Sequence, residues 1–592
     1  MDISQSELFK PLSQQIKIVL PENPIFKWAA FQKVARSLHI TGGPGSGKST
    51  LMALLILLHL VLGRPGVLID PNGGTVDAFL GAILNFITQL LGSGQIGQAQ
   101  VKQLLNRIVY VDMSGTQGYI HPFPLYTSQS ATESPSKTAS RLLDVIRASS
   151  PQLAQAPIMG MHAVEEVGKA VGVLMAIMKS QAPEALDLLR DPTLWRSRLQ
   201  PYVQHEDYGV RQAALFFTAK QEKYWYSADW QRQKQAFERE LRQLLYDNVS
   251  LAFFGASEAG INWQRDLEQG RKWILLDFRH EQNQGLRRFK MQWVMTCLMD
   301  YFRSRGRGRD NCPIELILEE ITSLYNQDVA TSSNFFTSSL DELINQIGRD
   351  FRVNLTLAHQ FPFQIDPKSV KTLAAMSSQI LGVTPDDEDS LRLSQQFLRI
   401  DPLKIKRKEK VLMAPPLSWP PLTVDERPVE YTVEEQQLLG AYQFQDLDVF
   451  QFQCKLSYGE GRSKYAPLQF VSIAQEAKTT WVEEQQIISL RKYLGKQTGY
   501  PSQPLADAVR SRKDGWLPPK GKEPTQDQPD SSASSATFSG NIADTSTRQP
   551  IAANDEIEAK ESDTLLLDLL KEWQQQPVQK KWDLPFQEIT QK

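Results

Sequence analysis

The sequence has few cysteines, and those it has are poorly placed for a metal centre or a disulfide framework. Its 592 residues include three, Cys297, Cys312 and Cys454, which lie far apart along the chain. They have no zinc-ligand spacing, and secreted disulfide-rich domains use cysteines far more densely. This usage predicts a protein of a reducing compartment, and we expect a cytoplasmic location.

The sequence also lacks long apolar runs and an excess of charge. The longest apolar run, residues 51–63, is too short to span a bilayer and contains His59. Residues 1–27 hold no apolar segment typical of a signal peptide. We therefore expect no transmembrane segment. The formal net charge of −2 excludes a surface that is basic throughout, but it is compatible with a local basic channel.

What the sequence does contain is a phosphate-binding loop. The stretch Gly42-Gly43-Pro44-Gly45-Ser46-Gly47-Lys48-Ser49-Thr50 lies between an apolar run typical of a strand and one typical of a buried helix. Strand, glycine-rich turn, Lys-Ser and helix together indicate a P-loop. Its glycines let successive N–H groups converge on a phosphate, and the helix N-terminus adds its positive end.

We expect all nine residues of this loop to bind nucleotide. Lys48 is expected to contact the β- and γ-phosphates, and the Ser49 hydroxyl is expected to face Mg²⁺. The predicted cofactors are therefore ATP and Mg²⁺.

Further apolar runs alternate with helical patterns, which predicts an α/β fold with a mainly parallel sheet covered by helices on both faces. Strand-like runs lie at residues 67–70, 107–112, 273–278, 314–318, 353–358 and 378–383. We expect the last of these to end the sheet. Asp70 and Asp112 each end a run, where they either support the nucleotide site or cap the turns that follow. The cap preference of aspartate favours the second role.

Composition predicts the domain organisation. Helical periodicity without strand signals fills residues 133–248, and residues 520–553 are polar and poor in apolar residues, as in disordered linkers. The leucines and Trp573 beyond them predict an amphipathic helix, which either docks on a protein partner or folds back on its own chain. The predicted segments are a lead-in (1–35), a first core part (36–132), an all-helical insertion (133–248), a second core part (249–400), a mixed region (401–519), a disordered linker (520–553) and a tail with the short helix (554–592).

Candidate catalytic residues follow two neighbouring strand-like runs. Glu319 and Glu320 come directly after residues 314–318; we expect Glu319 to hold Mg²⁺ and Glu320 to polarise the attacking water. Gln360 follows residues 353–358, where an amide can contact both a γ-phosphate and a water. Arg349 precedes the same run and is a candidate arginine finger for a neighbouring subunit. For Gln360 an ordinary strand-end role stays open, and for Arg349 a surface ion pair does.

Several blocks resemble the HerA–FtsK superfamily, in its TraG-like branch of conjugative coupling ATPases. They are Asp70-Pro71-Asn72-Gly73, the run Val109–Asp112 with His121-Pro122-Phe123-Pro124-Leu125, Phe253-Phe254-Gly255, and the block from Arg349 to Ala358-His359-Gln360. The resemblance covers about residues 36–400. It implies a RecA-like core, a hexameric ring and ATP-driven DNA translocation through a central channel, with Arg349 as finger and Gln360 as sensor.

The chain departs from that family at two places. The acidic pair is Glu319-Glu320, where the family usually has Asp-Glu, and only about 40 residues precede the P-loop, with no transmembrane pair. A ring needs basic residues only where it touches phosphates, and residues 303–309 and 404–410 are candidate channel loops. Two other functions stay open: an ATP-gated assembly protein that recruits partners, and a secretion ATPase that moves protein.

Overall fold

The computed structural model describes residues 37–92, 94–128, 133–149, 158–306, 311–320, 351–360, 376, 378–398, 400–413, 422–456, 469–472 and 484–512. Four sequence-based predictions therefore lie outside the described residues. They are the lead-in, the candidate finger Arg349, the disordered linker and the short helix of the tail.

The strands build one large sheet and two small ones. They are β1 (Ser37–Thr41), β2 (Gly66–Asp70), β3 (Ile108–Asp112), β4 (Tyr119–Ile120), β5 (Trp273–Asp277), β6 (Ile314–Leu318), β7 (Val353–His359), β8 (Ser378–Leu381), β9 (Ile405–Met413), β10 (Leu422–Glu430), β11 (Gln451–Lys455), β12 (Gln469–Ser472) and β13 (Tyr500–Pro501). The large sheet has the order β12-β11-β8-β1-β7-β6-β2-β5-β3, and its strands from β8 to β3 are parallel. The predicted α/β fold with a mainly parallel sheet is confirmed.

Helices occupy the connections between these strands. Those of the described residues are α1 (Lys48–Val61), α2 (Gly74–Gly92), α3 (Gln98–Leu105), α4 (Pro135–Ser149), α5 (Ile158–Met178), α6 (Ala182–Arg190), α7 (Arg196–Leu199), α8 (Tyr208–Thr218), α9 (Glu222–Trp225), α10 (Ala228–Leu244), α11 (Asn248–Gly255), α12 (Gln284–Ser304), α13 (Asp387–Phe397), α14 (Val433–Gln445), α15 (Glu484–Thr498) and α16 (Ser502–Ser511).

Alternating strand residues place a hydrophobic core on each face of the sheet. In β2, Val67 and Ile69 belong to one core and Leu68 belongs to the other, as the two-residue repeat of a strand requires. One core contains α12 and the helices between β4 and β5, and the other contains α1, α2, α3 and α15. Burial on both faces explains why these strands are mostly apolar.

Helix α2 has the length and composition of a membrane span, and among the described residues it alone does. It packs against α1, with Phe79, Ile83 and Ile87 fully buried. Its apolar character is therefore used inside the protein core, as in many soluble folds.

Between β4 and β5 the described residues form helices and no strands. Their interior is aromatic, with Trp225 and Trp230 in edge-to-face contact. An ion pair joins these helices to the rest of the protein, because Arg141 of α4 donates from Nε to Asp300 of α12 at 2.7 Å, in a buried position. A buried ion pair of this kind is costly to break from one side.

The expectation that residues 378–383 end the sheet is wrong. Strand β11 pairs antiparallel with β8, and β12 pairs antiparallel with β11, so the sheet gains two further strands at this edge. Short strands of mixed polarity carry too weak a pattern to be recognised when their partner lies 70 residues away.

The two candidate basic loops also differ from the prediction. Arg303 lies in the last turn of α12. The side chain of Arg305 is buried and donates to Glu268 at 2.6 Å and to the carbonyl of Cys312 at 2.6 Å. Residues 404–410 run mostly along β9, which pairs with β10 in a two-stranded ribbon. There Lys406 forms an ion pair with Glu435, and Lys408 pairs with Glu426 at 3.6 Å. Residues 307–309 of the first segment lie outside the described residues, and the second segment is mostly an exposed strand, not a loop.

Helix α15 packs into the core that contains α1, α2 and α3, so a cavity at its buried face should destabilise the protein. Leu490 of α15 is fully buried in the core that contains α1 and α2. We expect Leu490→Ala to lower the free energy of unfolding by about 2–5 kcal/mol, the usual cost of such a cavity. Denaturant titration would measure this, with the exposed Lys492→Ala of the same helix as control. An unchanged midpoint of unfolding for Leu490→Ala would mean that α15 does not contribute to the stability of this core.

Candidate functional site

The P-loop connects β1 to α1 at the carboxyl edge of the parallel sheet. Gly45 and Gly47 have positive φ angles of 77° and 94°, which other residues rarely adopt. Gly47 is the N-cap residue of α1 and brings no side-chain hydrogen bond to the first helical turn. The N–H groups of that turn are therefore available to an anion, as in other phosphate-binding helix termini.

Lys48 lies inside the loop that precedes it. Its ammonium group donates to the carbonyl oxygens of Gly42 and, at 3.1 Å, of Gly43. Burial lowers the pKa of Lys48, while Glu320 and Glu319 act in the opposite direction. The site therefore contains a buried cation beside the glycine-rich backbone, which suits a polyphosphate ligand.

Ser49 and Glu319 meet across the sheet edge. The Ser49 hydroxyl donates to Oε1 of Glu319 at 2.9 Å, and the Glu319 N–H donates to the Ile69 carbonyl at 3.0 Å. This backbone hydrogen bond extends the pairing of β6 with β2 by one residue, and it thereby sets the position of the Glu319 backbone. The structure thus brings together the two residues predicted to face the metal.

Asp70 is the last residue of β2 and places a second carboxyl group beside Glu319. Its oxygens accept the N–H groups of Asn72 at 3.0 Å, Gly73 at 2.6 Å and Val76 at 2.9 Å, the bonds expected of a turn and helix cap. Burial, together with the nearby Glu319 carboxylate, raises the pKa of Asp70 well above its ordinary value. The turn-capping role favoured from the sequence is therefore present, and it leaves Asp70 close to the site.

These groups fit a small hard cation. Oε2 of Glu319 is buried and has no hydrogen-bond partner among the described residues, and Oε1 already contacts the Ser49 hydroxyl. Mg²⁺ binds one or two protein oxygens together with phosphate oxygens and waters. The described part of the chain contains no cluster of three or more His, Cys, Asp or Glu side chains that could hold a metal ion.

Glu320 and Gln360 lie just beyond the carboxyl ends of β6 and β7. Glu320 has a positive φ of 48°, a conformation that non-glycine residues adopt rarely and often at functional sites. Gln360 directly follows β7, and its carbonyl oxygen accepts from the Thr41 hydroxyl at a long 3.5 Å. Thr41 is the last residue of β1 and precedes Gly42, so Gln360 lies beside the start of the P-loop.

A buried histidine pair joins the strands that carry the P-loop and Gln360. The Nε2 atoms of His39 in β1 and His359 in β7 are 2.7 Å apart, and the rings stack. Burial lowers the pKa of His39 to about 4. This pair was not predicted; the available signal was one histidine within each of two strands that were predicted to be buried.

The histidine pair should make folding pH-dependent. The folded-state pKa of His39 lies below the ordinary 6.5, so its stabilising contribution is complete above pH 6.5 and is lost as the pH falls toward 4. Between pH 7 and pH 5, the free energy of unfolding of the wild type should fall by about 2 kcal/mol more than that of His39→Gln. Denaturant titrations at both pH values would test this, and equal losses would contradict it.

A second feature that the sequence analysis missed is a contact from the C-terminal side of the chain. Phe450 lies just before β11 and is buried against Gly47, and its N–H donates to the Ser46 carbonyl at 3.1 Å. The residues are about 400 positions apart, so no local pattern could reveal the contact.

Comparisons with known proteins give structural neighbours only. The chain matches no protein-family model and no curated protein. It is similar to the bacterial conjugative coupling protein TrwBdeltaN70 in its unbound form, at 14% identity and a TM-score of 0.44, over 74% of this chain and 85% of that one. The complex of the plasmid coupling protein TrwB with ADP and Mg²⁺ gives 13% identity and a TM-score of 0.43, over 75% and 89%.

A third similar structure is VirB4 of Thermoanaerobacter pseudethanolicus, at 14% identity and a TM-score of 0.36, over 62% of this chain and 81% of that one. At identities and TM-scores this low, these similarities assign no chemistry to this chain.

Proposed function

We propose that this protein is an ATPase that acts as a ring and moves DNA through its centre. The observation that carries the ATPase part is the order of three adjacent strands, β1, β7 and β6. Their carboxyl ends bear the P-loop, Gln360 and the Glu319-Glu320 pair in turn. In an open parallel sheet this edge is where ligands bind, so the three groups surround one triphosphate.

In this proposal the chain's own groups divide the work of phosphoryl transfer. The amides of residues 45–50 and the Lys48 ammonium hold the phosphates. Ser49 and Glu319 would hold Mg²⁺, which would supply positive charge beside the phosphate oxygens. Glu320 accepts a hydrogen bond from the attacking water, and Gln360 orients that water toward the γ-phosphate. Gln360 can also report the nucleotide state to β1 through its contact with Thr41.

The ring and its DNA substrate rest on the family resemblance and on Arg349. An arginine that reaches the nucleotide of a neighbouring subunit would couple hydrolysis to the assembly, and closed rings are the usual outcome of head-to-tail association. We propose a homo-oligomer, most simply the hexamer that the resemblance implies, with DNA as the partner.

The mixed charge of the β9–β10 ribbon favours a second candidate function, in which the substrate that is moved is a protein. Its basic side chains lie next to acidic ones, since Lys406 pairs with Glu435 and Arg407 pairs with Glu409. A surface of mixed charge attracts the DNA backbone less strongly than an unpaired basic surface does. A secretion ATPase that moves protein would need no basic channel.

Single substitutions should separate nucleotide binding from hydrolysis. We expect Lys48→Ala to abolish ATP binding, because it removes the buried cation of the phosphate site. Glu320→Gln should retain ATP binding but slow hydrolysis by about 100-fold or more, as for loss of a general base. Filter binding and phosphate release would measure the two effects, with the exposed Glu388→Gln of α13 as control. Wild-type hydrolysis by Glu320→Gln would exclude Glu320 from this role.

The position of Arg349 in a neighbouring site can be tested by mixing variants. Lys48→Ala and Arg349→Ala should each be inactive alone. In a mixture of equal parts, an Arg349→Ala subunit with an intact P-loop can meet a Lys48→Ala subunit with an intact arginine. Random assembly would restore roughly a quarter of the wild-type sites. No recovery in subunits shown to exchange would mean that Arg349 does not act between subunits.

The substrate is tested by the ATPase rate with and without nucleic acid. A DNA motor should be stimulated several-fold by single- or double-stranded DNA, and its affinity for DNA should fall steeply as salt rises from 50 to 200 mM, in the manner of phosphate-neutralising contacts. A rate that neither form of DNA changes would contradict the DNA motor and favour the protein-moving or assembly alternatives.

A further inference from the structure

Both ends of the segment that connects β8 to β11 form hydrogen bonds with the backbone of the P-loop. Between β8 and β11 the chain leaves the sheet to form α13, the β9–β10 ribbon and α14, and then returns. At the exit, the Val383 carbonyl accepts the N–H of Gly43 at 2.6 Å. At the return, the Phe450 N–H donates to the Ser46 carbonyl at 3.1 Å.

These two bonds fix the direction of two peptide groups in the loop. In a trans peptide the C=O and the following N–H point to opposite sides. The Gly43 N–H points to Val383, and the Gly42 carbonyl accordingly accepts from Lys48 on the other side. By the same rule, because the Ser46 carbonyl points outward to Phe450, the Gly47 N–H points into the concave side of the loop.

The ring of Phe450 adds a steric restraint at the same peptide. A Cβ atom placed on Gly47 would lie 2.4 Å from Cδ1 and 2.8 Å from Cε1 of Phe450, so the ring lies directly against the Gly47 backbone. Phe450 is only 6% exposed. Rotation of the Ser46–Gly47 peptide would have to displace this ring as well as break the hydrogen bond.

Phe450 is itself in an unfavourable conformation. Its φ is +68°, in the left-handed region that bulky side chains avoid. The preceding turn is tied by reciprocal bonds, since Gln451 donates from its side chain to Asp448 at 3.1 Å and the Asp448 N–H donates to the Gln451 side chain at 3.3 Å. A strained residue that the surroundings hold in place, in contact with a binding loop, is a candidate for a functional role.

We infer that Phe450 is a positioning residue of the nucleotide site, whose ring and N–H hold the Ser46–Gly47 peptide so that the Gly47 N–H faces the phosphates. The inference rests on the proposed function, because it needs the P-loop to bind nucleotide. It extends that site to a segment outside the 36–400 region that resembles known ATPases. It also means that nucleotide binding depends on the placement of Phe450, which precedes β11, beside the P-loop.

The test compares nucleotide affinity with fold stability in the full chain. Phe450→Gly removes the ring, and glycine readily adopts the positive φ angle of this position. Phe450→Leu keeps an apolar side chain that fits less well against Gly47. Val449→Gly introduces the same flexibility one residue earlier, at a side chain that is 48% exposed, and serves as control. The Kd for fluorescent ADP with Mg²⁺ should rise about tenfold or more in Phe450→Gly and about threefold in Phe450→Leu, with Val449→Gly unchanged.

Thermal melting shows the temperature range in which each variant is folded. Because Phe450 is buried in the core, Phe450→Gly should also lower the melting temperature, so the Kd values are compared at a temperature at which every variant is fully folded. Wild-type affinity in a folded Phe450→Gly protein would overturn the inference. If Phe450→Gly does not fold, Phe450→Leu decides in its place, and wild-type affinity there would overturn the inference equally. Failure of the wild-type protein to bind ADP would instead contradict the proposed function itself.

Discussion

The arrangement depends above all on the register of the parallel sheet. Strand β7 lies between β1 and β6, with Thr41 opposite His359 and Leu318 opposite Leu357. A shift of one residue in either pair would turn each strand's side chains to the opposite face and separate the P-loop from the carboxylates. A buried polar contact joins each pair of strands. His39 contacts His359 between β1 and β7, and the Asn354 side chain donates to Glu315 at 2.6 Å between β7 and β6. Polar groups buried in a sheet are satisfied in few registers, so they favour one pairing over its neighbours.

The same register explains why the carboxyl groups gather near Ser49. Asp70 and Glu319 end neighbouring strands, and the Glu319 N–H donates to the strand that carries Asp70. Bringing two carboxyl groups together is unfavourable unless a cation, a proton or backbone N–H groups compensate. Asp70 has its N–H partners in the turn, whereas Glu319 has the Ser49 hydroxyl and one buried oxygen that a cation can use. The carboxyl group of Glu319 can therefore reach Ser49 while the carboxyl group of Asp70 is occupied by the N–H groups of its own turn.

The sequence was sufficient wherever the signal was local. The glycine pattern located the P-loop, and apolar runs located the strands β1, β2, β3 and β5 to β8, because strands buried on both faces are mostly apolar. Glu319 and Gln360 could be placed at one edge since parallel strands align their carboxyl ends.

Features that depend on distant partners could not be predicted. Arg305 looks like part of an exposed basic loop, yet Glu268 and two carbonyl groups from other segments hold it in a buried position. The lysines near residue 406 look like a channel loop, yet they pair with acidic residues of β10 and α14. Strand β11 and the Phe450 contact depend on a return of the chain after two helices and a ribbon, and no window of sequence contains both partners.

The most direct test of the account is the dependence of ATP binding on Mg²⁺, measured by calorimetry on full-length protein whose hydrolysis is slowed by Glu320→Gln. We expect one ATP per chain, bound about tenfold or more tightly with Mg²⁺ than with a chelator, with that gain lost when Glu319→Gln is added, since Ser49 and Glu319 are the proposed protein ligands. Binding of equal strength with and without Mg²⁺, or a gain that survives Glu319→Gln, would contradict the site described here.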